Sequence, residues 1–311
     1  MTGRVVEIAR DGLHLSRERG FLVVKAQKEE AGRIPLDDIG MVIAHAHGLT
    51  YSNNLLMALA ERSVPVVLCG DRHSPAALVW PLVTHHRQTE RLEAQVRAGT
   101  PLKKRLWQQI VKVKIRFQAR ALAHVGQDSS SVALLERKVR SGDAGNCEAQ
   151  AARLYFPLLF GADFRRERAQ EGVNALLNYG YTVLRAITAR AVMGAGLHPS
   201  FPLHHKNLNN PMRLVDDLME PFRPLVDMRV FSLVRQGRTE VNPEAKRFLS
   251  AVGDLDMQGE RGQSPMAECL KVLASSLAQT LLGQRQKLLL PLDLVAAESD
   301  RRECHDKDDA T

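Results

Sequence analysis

Five side chains that can bind a metal ion or move a proton lie within seventeen residues of one another. They are His204, His205, Asp216, Asp217 and Glu220. Asp217 and Glu220 are three residues apart, so on a helix they share a face. Carboxylate oxygens with an imidazole nitrogen form a donor set that suits Mg²⁺ or Mn²⁺. Acids at this spacing are also common on solvated helices, so the spacing alone leaves both interpretations open.

Another acid, Glu148, is followed by the small residues Ala149, Ala151 and Ala152. A carboxylate among alanines can project into a cleft without competition from bulky neighbours. The simpler explanation is that a glutamate in the first turn of a helix interacts favourably with the helix dipole. Taken alone, Glu148 is better explained by helix stability than by catalysis.

Positive charge is concentrated in one part of the chain. The 311 residues carry a formal net charge of +8. Residues 97–141 contain eleven Lys or Arg against two acids, so this segment accounts for the whole excess. Such a block is typical of a surface that binds a polyanion, namely nucleic acid, acidic lipid or nucleotides. A solvated helix face is the alternative interpretation.

The elements that must position these residues are helices from Pro101 onward. One buried helical stripe is predicted by apolar residues at intervals of three or four: Leu102, Leu106, Ile110, Val113, Phe117 and Ala121. The cations of this helix lie largely off that stripe. Pro221 and Pro224 are expected to end or bend the helix that carries Asp217 and Glu220. Further helices are predicted at about 131–140, from 146, and at 173–193, 212–219, 243–251 and 264–282.

The first part of the chain has a different pattern. Short Val- and Ile-rich runs separated by turns predict an antiparallel sheet or small sandwich in residues 1–80, with one helix capped by Ser52. Residues 81–100 are polar and are predicted to be a linker. The fold class is therefore α+β, with a β-rich, sandwich-like domain followed by an all-α domain at 101–290 that contains the candidate catalytic acids. The polar residues 291–311 are predicted to be a disordered tail.

Several classes of protein are disfavoured by the composition. The four cysteines are scattered with no CxxC pair, which disfavours a zinc site and a disulfide framework. No apolar run approaches the roughly 18–20 residues that a membrane span needs. The N-terminus has no pattern of a secretory signal. We therefore expect a cytoplasmic protein without membrane contact.

Three segments occur in an order that resembles a known family. They are Asn146–Gly161 (NCEAQAARLYFPLLFG), Asn174–Ala186 (NALLNYGYTVLRA) and the histidine segment ending in Asp217–Asp227 (DLMEPFRPLVD). Together they resemble the CRISPR-associated endonuclease/integrase of the adaptation module, the "Cas one" family. The form EPFRPLVD looks most like the branch that accompanies type II systems. The resemblance covers roughly residues 4–290.

The resemblance implies an N-terminal β domain for dimerisation and partner binding, and a helical domain with one Mg²⁺ or Mn²⁺ site per subunit. It implies a homodimer that joins a small ferredoxin-fold second adaptation protein in a heterohexamer of four and two copies. The implied reaction inserts short duplex DNA into the CRISPR repeat array by attack of a 3′-hydroxyl on a phosphodiester.

Residue by residue, the resemblance implies the metal ligands Glu148, His205 and Glu220, with Asp217 as a nearby secondary acid. The family often has one histidine where this chain has two, and His204 is the alternative to His205. The twelve-residue spacing from His205 to Asp217 fits the family pattern better. Expected contacts to the DNA backbone come from cations of residues 103–120 and 165–168: Lys103, Lys104, Arg105, Lys112, Lys114, Arg116, Arg120, Arg165, Arg166 and Arg168.

Two other functions are carried forward as alternatives. The first is a metal-dependent nuclease of branched or linear DNA that does not integrate. The second is a DNA-binding scaffold without enzymatic activity, whose acids are structural. Neither the general base of the reaction nor the repeat sequence follows from the chain.

Overall fold

The computed structural model describes residues 4–70, 75–79, 81–167, 170–260 and 262–294. These residues form two bodies, one rich in strands and one helical. The strands are β1 (Arg4–Ile8), β2 (His14–Glu18), β3 (Phe21–Ala26), β4 (Glu29–Pro35), β5 (Ile39–Ala44), β6 (Thr50–Tyr51), β7 (Val66–Cys69), β8 (Pro75–Val79), β9 (Asp256–Gly259), β10 (Gly262–Pro265) and β11 (Asp293–Leu294). The α-helices are α1 (Asn53–Glu61), α2 (Gln88–Arg97), α3 (Thr100–His124), α4 (Ser130–Lys138), α5 (Cys147–Phe160), α6 (Val173–Gly194), α7 (Arg213–Met219), α8 (Arg223–Arg235), α9 (Pro243–Ser250) and α10 (Met266–Leu281).

The β-rich body contains two four-stranded sheets, in the orders β1-β5-β7-β8 and β4-β3-β2-β6. They share a core with α1 that includes Leu15, Leu22, Val42 and Leu55. The predicted sandwich-like domain is confirmed, but the predicted antiparallel pairing is wrong for the first sheet. There β1, β5 and β7 run parallel. The chain crosses from β5 to β7 through α1, and such a crossover brings a strand back in the same direction.

The sheet containing β5 is covered on both sides. All six residues of β5 are buried. Met41, Ile43 and Val67 pack against Ala186 of α6, on the side away from the sandwich core. This contact attaches the β-rich body to the helical one.

The segment predicted to be a linker contains α2. Arg91 and Gln95 of this helix donate hydrogen bonds to the carbonyls of Ala195, His198 and Phe201. Polar composition concealed the helix because α2 is held by hydrogen bonds to main-chain carbonyls rather than by an apolar stripe. Residues 88–97 therefore pack on the helical body.

The predicted helices of the second body are present, with ends shifted by a few residues. Sequence analysis missed α8, since Pro221 and Pro224 were expected to stop or bend the chain. A short 3₁₀ turn spans Glu220–Phe222, and Pro224 occupies the first turn of α8, where no backbone hydrogen bond is lost. The prolines therefore bend the chain between α7 and α8. Among the described residues, none of the helices is long and apolar enough to cross a bilayer.

The C-terminal part also differs from the prediction. A hairpin of β9 and β10 precedes α10, and β11 pairs with β9. Asp293 and Leu294, which fall in the segment predicted to be a disordered tail, are therefore part of a sheet. Residues 295–311 lie outside the described residues.

Helices α6 and α8 approach closely at Gly180. A Cβ atom built on Gly180 would lie 2.5 Å from Cγ1 of Val226, closer than van der Waals contact allows. The glycine thus lets the backbones of two helices meet. Its neighbour Tyr181 donates a short hydrogen bond to Asp227 on α8.

Candidate active site

Helix α3 passes through the centre of the helical body and carries a buried lysine. Lys114 is 6% exposed, and its ammonium Nζ lies 2.6 Å from Oε1 of Glu148 and 2.5 Å from Oε2 of Glu220. Burial by itself would lower the pKa of Lys114, but the charges of Glu220 and Glu148 outweigh burial and raise it. The ammonium is therefore a fixed positive charge between two of the predicted ligands.

Glu148 is positioned by the start of α5. The carboxylate of Asp143 accepts hydrogen bonds from the backbone N–H groups of Cys147 and Glu148, at 2.9 and 3.0 Å. These bonds satisfy donors that every helix leaves free in its first turn. The residue before the helix, Asn146, has a left-handed backbone with φ of 51°. The Glu148 side chain is about one quarter exposed, at 27%, so it is open to the cleft.

Asp217 organises the loop that carries both histidines. It lies on α7 with no exposed surface. Its carboxylate accepts the backbone N–H groups of Leu203, His204 and His205, at 2.6 to 3.2 Å. It also accepts a hydrogen bond from Nδ1 of His205 at 2.6 Å. This bond leaves Nε2 of His205 as the nitrogen that can face a ligand, the arrangement usual for metal-binding histidines.

The hydrogen bond that His205 donates to Asp217 raises the pKa of His205, against the smaller opposing effect of burial. His204 differs in its ring contact and in the direction of its pKa shift, although both rings contact Trp107. Its ring stacks on Trp107 with centroids 4.4 Å apart and planes within 1° of parallel, and burial lowers its pKa. His205 lines a large cleft, whereas His204 packs beside α3.

Glu220 lies in the 3₁₀ turn between α7 and α8 and is almost fully buried. One carboxylate oxygen meets Lys114 and the other accepts from Nε of Arg223 at 2.9 Å. Burial alone would raise the pKa of Glu220, but Arg223 and Lys114 outweigh it and hold the pKa at about 2. Glu220 is therefore an ionised carboxylate in the interior.

The donor set fits a hard divalent cation. Glu148 and Glu220 already converge on one positive group, and His205 lines the same cleft with an imidazole nitrogen that can bind a metal once it is deprotonated. Among the described residues, no three His, Cys, Asp or Glu side chains are close enough together to bind one metal ion. The ammonium of Lys114 lies between the carboxylates of Glu148 and Glu220 and keeps them apart.

These groups line the same open cleft, whose volume is about 1390 Å³. Its walls include Glu148, Lys114, His205, Glu220 and Arg223. Charged and polar side chains of both bodies also contribute to the wall, among them three cations and one acid: Arg166, Arg185, Lys246, Glu7, Asn178, Tyr179 and His45. A cleft of this size with cations along its walls can admit a length of polyanionic chain to the buried carboxylates.

A buried network behind the site was missed by sequence reasoning. Asp227 accepts from the hydroxyl of Tyr181, and the Arg223 guanidinium lies 4.5 Å from the centroid of the Tyr181 ring. Burial raises the pKa of Asp227 to about 6, more than its hydrogen bonds lower it. Asp227 ends the segment DLMEPFRPLVD, so the sequence contained the residue but gave no sign of its partners. The network fixes Arg223, which in turn holds Glu220.

The predicted DNA-binding cations of α3 fall into three groups: exposed, paired with an acid, and buried. Lys103, Lys104, Arg105 and Lys112 are partly or fully exposed on α3, with no charged or hydrogen-bonding side-chain partner among the described residues. Arg116 pairs with Glu136, and Arg120 pairs with Asp293. Lys114 was expected with the exposed cations, but its ammonium is interior. Helical spacing could have shown this, because Lys114 follows Ile110 by four residues and precedes Phe117 by three.

The predicted DNA-binding arginines outside α3 are Arg165, Arg166 and Arg168, and Arg166 lines the cleft. Arg165 is exposed, and Arg166 donates to the amide oxygens of Asn174 and Asn178 at 2.9 and 2.7 Å. The guanidinium of Arg166 lies 5.4 Å from the centroid of the Tyr181 ring. Arg168 lies outside the described residues.

The family model for CRISPR associated protein Cas1 matches residues 6–248. A CRISPR-associated endonuclease Cas1 of Neisseria meningitidis serogroup C is 38% identical over 296 residues, which are 94% of this chain and 96% of that protein. A CRISPR-associated endonuclease Cas1 of Pyrobaculum aerophilum is 30% identical over 80% of this chain and 88% of its own length.

Solved structures share the fold at lower identity. A casposase bound to its integration product has a TM-score of 0.77 and 17% identity, covering 97% of this chain and 98% of that one. A CAS1 protein from Thermotoga maritima has a TM-score of 0.70 and 17% identity, covering 94% and 100%. A Cas6-RT-Cas1–Cas2 complex has a TM-score of 0.73 and 21% identity, covering 95% of this chain and 36% of that one. The family match over most of the sequence and the 38% identical relative establish that this chain belongs to the Cas1 family.

Proposed function

We propose that this chain is a metal-dependent DNA integrase of CRISPR adaptation. It inserts short duplex DNA into the repeat array by attack of a 3′-hydroxyl on a phosphodiester, and it has DNA endonuclease activity. The observation that carries the proposal is that Glu148 and Glu220 converge on one ammonium, that of Lys114, in a large cleft that His205 also lines. The endonucleases among the relatives and the casposase bound to its integration product support it.

We propose that Glu148, Glu220 and Nε2 of His205 hold one Mg²⁺ or Mn²⁺. A divalent cation bound there supplies Lewis-acid activation of the phosphodiester and of the attacking hydroxyl. Asp217 serves the site indirectly, since its carboxylate is used up in fixing the loop and Nδ1 of His205. His204 packs on Trp107 and is not among the proposed ligands.

The proposed substrate is DNA, bound mainly through its phosphates. Lys103, Lys104, Arg105 and Lys112 on α3 and the arginines Arg165 and Arg166 would contact the backbone without reading sequence. Such binding leaves recognition of the repeat to other contacts.

In the proposed assembly, two homodimers of this chain join two copies of a small ferredoxin-fold second adaptation protein, which gives four copies of the chain and two of the partner. We place the assembly in the cytoplasm, where DNA is available. The solved Cas1–Cas2 complexes with this fold support a partner of that kind. The assembly would place two active sites on one duplex.

The test combines the purified chain, its small partner, Mn²⁺, a short duplex with 3′-hydroxyl ends and a supercoiled plasmid that contains the repeat. We expect products with one duplex strand joined to the plasmid. A duplex with 3′-deoxy ends should give none, because the nucleophile is missing. Glu148→Ala should abolish joining, whereas Glu93→Ala, which removes an exposed glutamate paired with Arg97, should not.

The same assay separates the alternatives. Cleavage of the plasmid without joining would favour a nuclease, and metal-independent binding without any product would favour a scaffold. Full joining by Glu148→Ala would overturn the assignment of the site.

A further inference from the structure

Lys114 occupies the place that a divalent cation bound by both glutamates would need. Its Nζ is hydrogen-bonded at 2.6 Å to Glu148 and at 2.5 Å to Glu220. The two carboxylate oxygens are therefore at most about 5 Å apart, with the ammonium between them. Divalent ions such as Mg²⁺ bind oxygens at about 2.0–2.1 Å. The space between the carboxylates holds one cation at a time.

The pairing is also what keeps the two carboxylates together. Two like charges at this separation in a partly dry interior repel strongly. Glu220 is 4% exposed and Lys114 is 6% exposed, so water screens this pair weakly, whereas Glu148 is 27% exposed and is partly solvated. Arg223 compensates the second oxygen of Glu220 but does not contact Glu148. Lys114 is the group that joins a carboxylate of α5 to a carboxylate of the turn after α7.

Resting on the metal site proposed above, we propose that Lys114 is a built-in counter-ion that competes with the divalent cation. Its ammonium holds Glu148 and Glu220 in place in the metal-free protein. It has to leave the shared position before both carboxylates can bind a metal ion. The four-carbon side chain permits this movement, and Lys114 itself lines the cleft into which it can turn.

The inference makes Lys114 a positioning residue that sets metal affinity. Removing the ammonium removes both a competitor and a repelling charge, so the metal should bind more tightly. The same change leaves two buried carboxylates without their shared partner, so the metal-free protein should be less stable. A lysine that merely supported the fold would show the second effect without the first.

The test uses the full-length chain and Mn²⁺ alone, with affinity measured by titration calorimetry and by the loss of the free-ion electron paramagnetic resonance signal. We expect Lys114→Met, which keeps the length of the side chain, to bind Mn²⁺ roughly tenfold more tightly than wild type. Lys112→Met is the matched control, since it removes a lysine of the same helix that has no side-chain partner among the described residues. Its affinity should equal that of wild type.

Thermal unfolding in a chelator provides the second measurement. Without metal, Lys114→Met should unfold at a lower temperature than wild type. On saturation with Mn²⁺, its unfolding temperature should rise by more than that of wild type. Lys114→Arg, which retains the charge, should not bind Mn²⁺ more tightly than wild type. If Lys114→Met fails to fold without metal, its recovery on adding Mn²⁺ is the expected result, and no recovery contradicts the inference.

The outcomes separate this inference from the proposed function. If wild type binds Mn²⁺ and Glu148→Gln does not, the metal site stands. If Lys114→Met then binds Mn²⁺ no more tightly than wild type, the proposed role of Lys114 is wrong. No Mn²⁺ binding by either protein overturns the metal site and the inference with it.

Discussion

A single buried carboxylate decides which histidine faces the cleft. Asp217 accepts three backbone N–H groups of the loop and the Nδ1–H of His205, so the loop has little freedom to rotate. His204 is turned away because its ring is stacked on Trp107. Two adjacent residues of the same type therefore have different surroundings and different uses.

This difference predicts unequal effects of substitution. His205→Ala should reduce strand joining roughly 100-fold or more and weaken Mn²⁺ binding, because the nitrogen proposed as a metal ligand would be lost. His204→Phe should keep the flat contact with Trp107 and stay within a few-fold of wild type in both measurements. Retained activity in His205→Ala together with loss in His204→Phe would show that the assignment of the two histidines is reversed.

At the scale of elements, α3 presents one buried cation and several exposed ones. Lys103 precedes Lys114 by eleven residues, or about three turns, so it lies on the same side of the helix about 16 Å toward its start. Lys104 and Arg105 are exposed beside it. The start of α3 is therefore a positive surface on the same element as the buried site.

We expect the variant Lys103→Ala/Lys104→Ala/Arg105→Ala to bind DNA of any sequence more weakly than wild type does. The slope of log affinity against log salt should fall by about one for each phosphate that the variant no longer neutralises. Mn²⁺ binding should be unchanged, since the site lies further along α3.

Fluorescence anisotropy of a labelled duplex over a range of salt concentrations measures this slope. The control is Arg33→Ala/Arg62→Ala, which removes two arginines of the β-rich body that are paired with Glu30 and Asp37. A slope unchanged in the α3 variant would move the DNA path to another surface.

At the scale of the whole molecule, a polar cluster joins the two bodies beside the apolar contact of β5 with α6. Glu7 of β1 accepts a hydrogen bond from Tyr179 of α6 at 2.8 Å and from Lys246 of α9 at 2.9 Å. It also makes a short hydrogen bond with His45. The cluster lines the cleft, so it holds the two bodies together at a wall to which both contribute.

Glu7 should make the stability of the chain depend on pH. Burial alone would raise its pKa, but the hydrogen bonds from His45, Lys246 and Tyr179 outweigh burial and lower the pKa to about 2 from the ordinary 4.5. Unfolded chains therefore bind a proton at Glu7 before folded ones do. Its stabilisation is complete above about pH 5 and is lost as the pH falls from about 4.5 toward 2.

Glu7→Gln is expected to lower the free energy of unfolding at neutral pH by up to about 3 kcal/mol. The difference from wild type should shrink as the pH falls below about 4.5. Urea unfolding followed by circular dichroism at a series of pH values measures it. Glu93→Gln, at an exposed site, should match wild type throughout. A difference for Glu7→Gln that stays constant with pH would contradict stabilisation by the ionised Glu7 carboxylate.

Much of the helical body could be predicted from the sequence. Sequence patterns located α3, α4, α5, α6, α7, α9 and α10, because burying one face of a helix requires apolar residues every three or four positions. Helix α2 and helix α8 could not be located in this way. The first is held by hydrogen bonds to distant carbonyls, and the second begins at prolines that only the tertiary path places in its first turn.

The sequence by itself determined the kinds of group available for chemistry: the acids Glu148, Asp217 and Glu220 and two histidines. Tertiary structure alone decided how they are used. Asp217 became the support of a loop, His204 a stacked ring, and Lys114 the cation between two glutamates. The reason is that Glu148, Lys114 and Glu220 lie on three separate segments, and only packing of those segments brings their charges within hydrogen-bond distance.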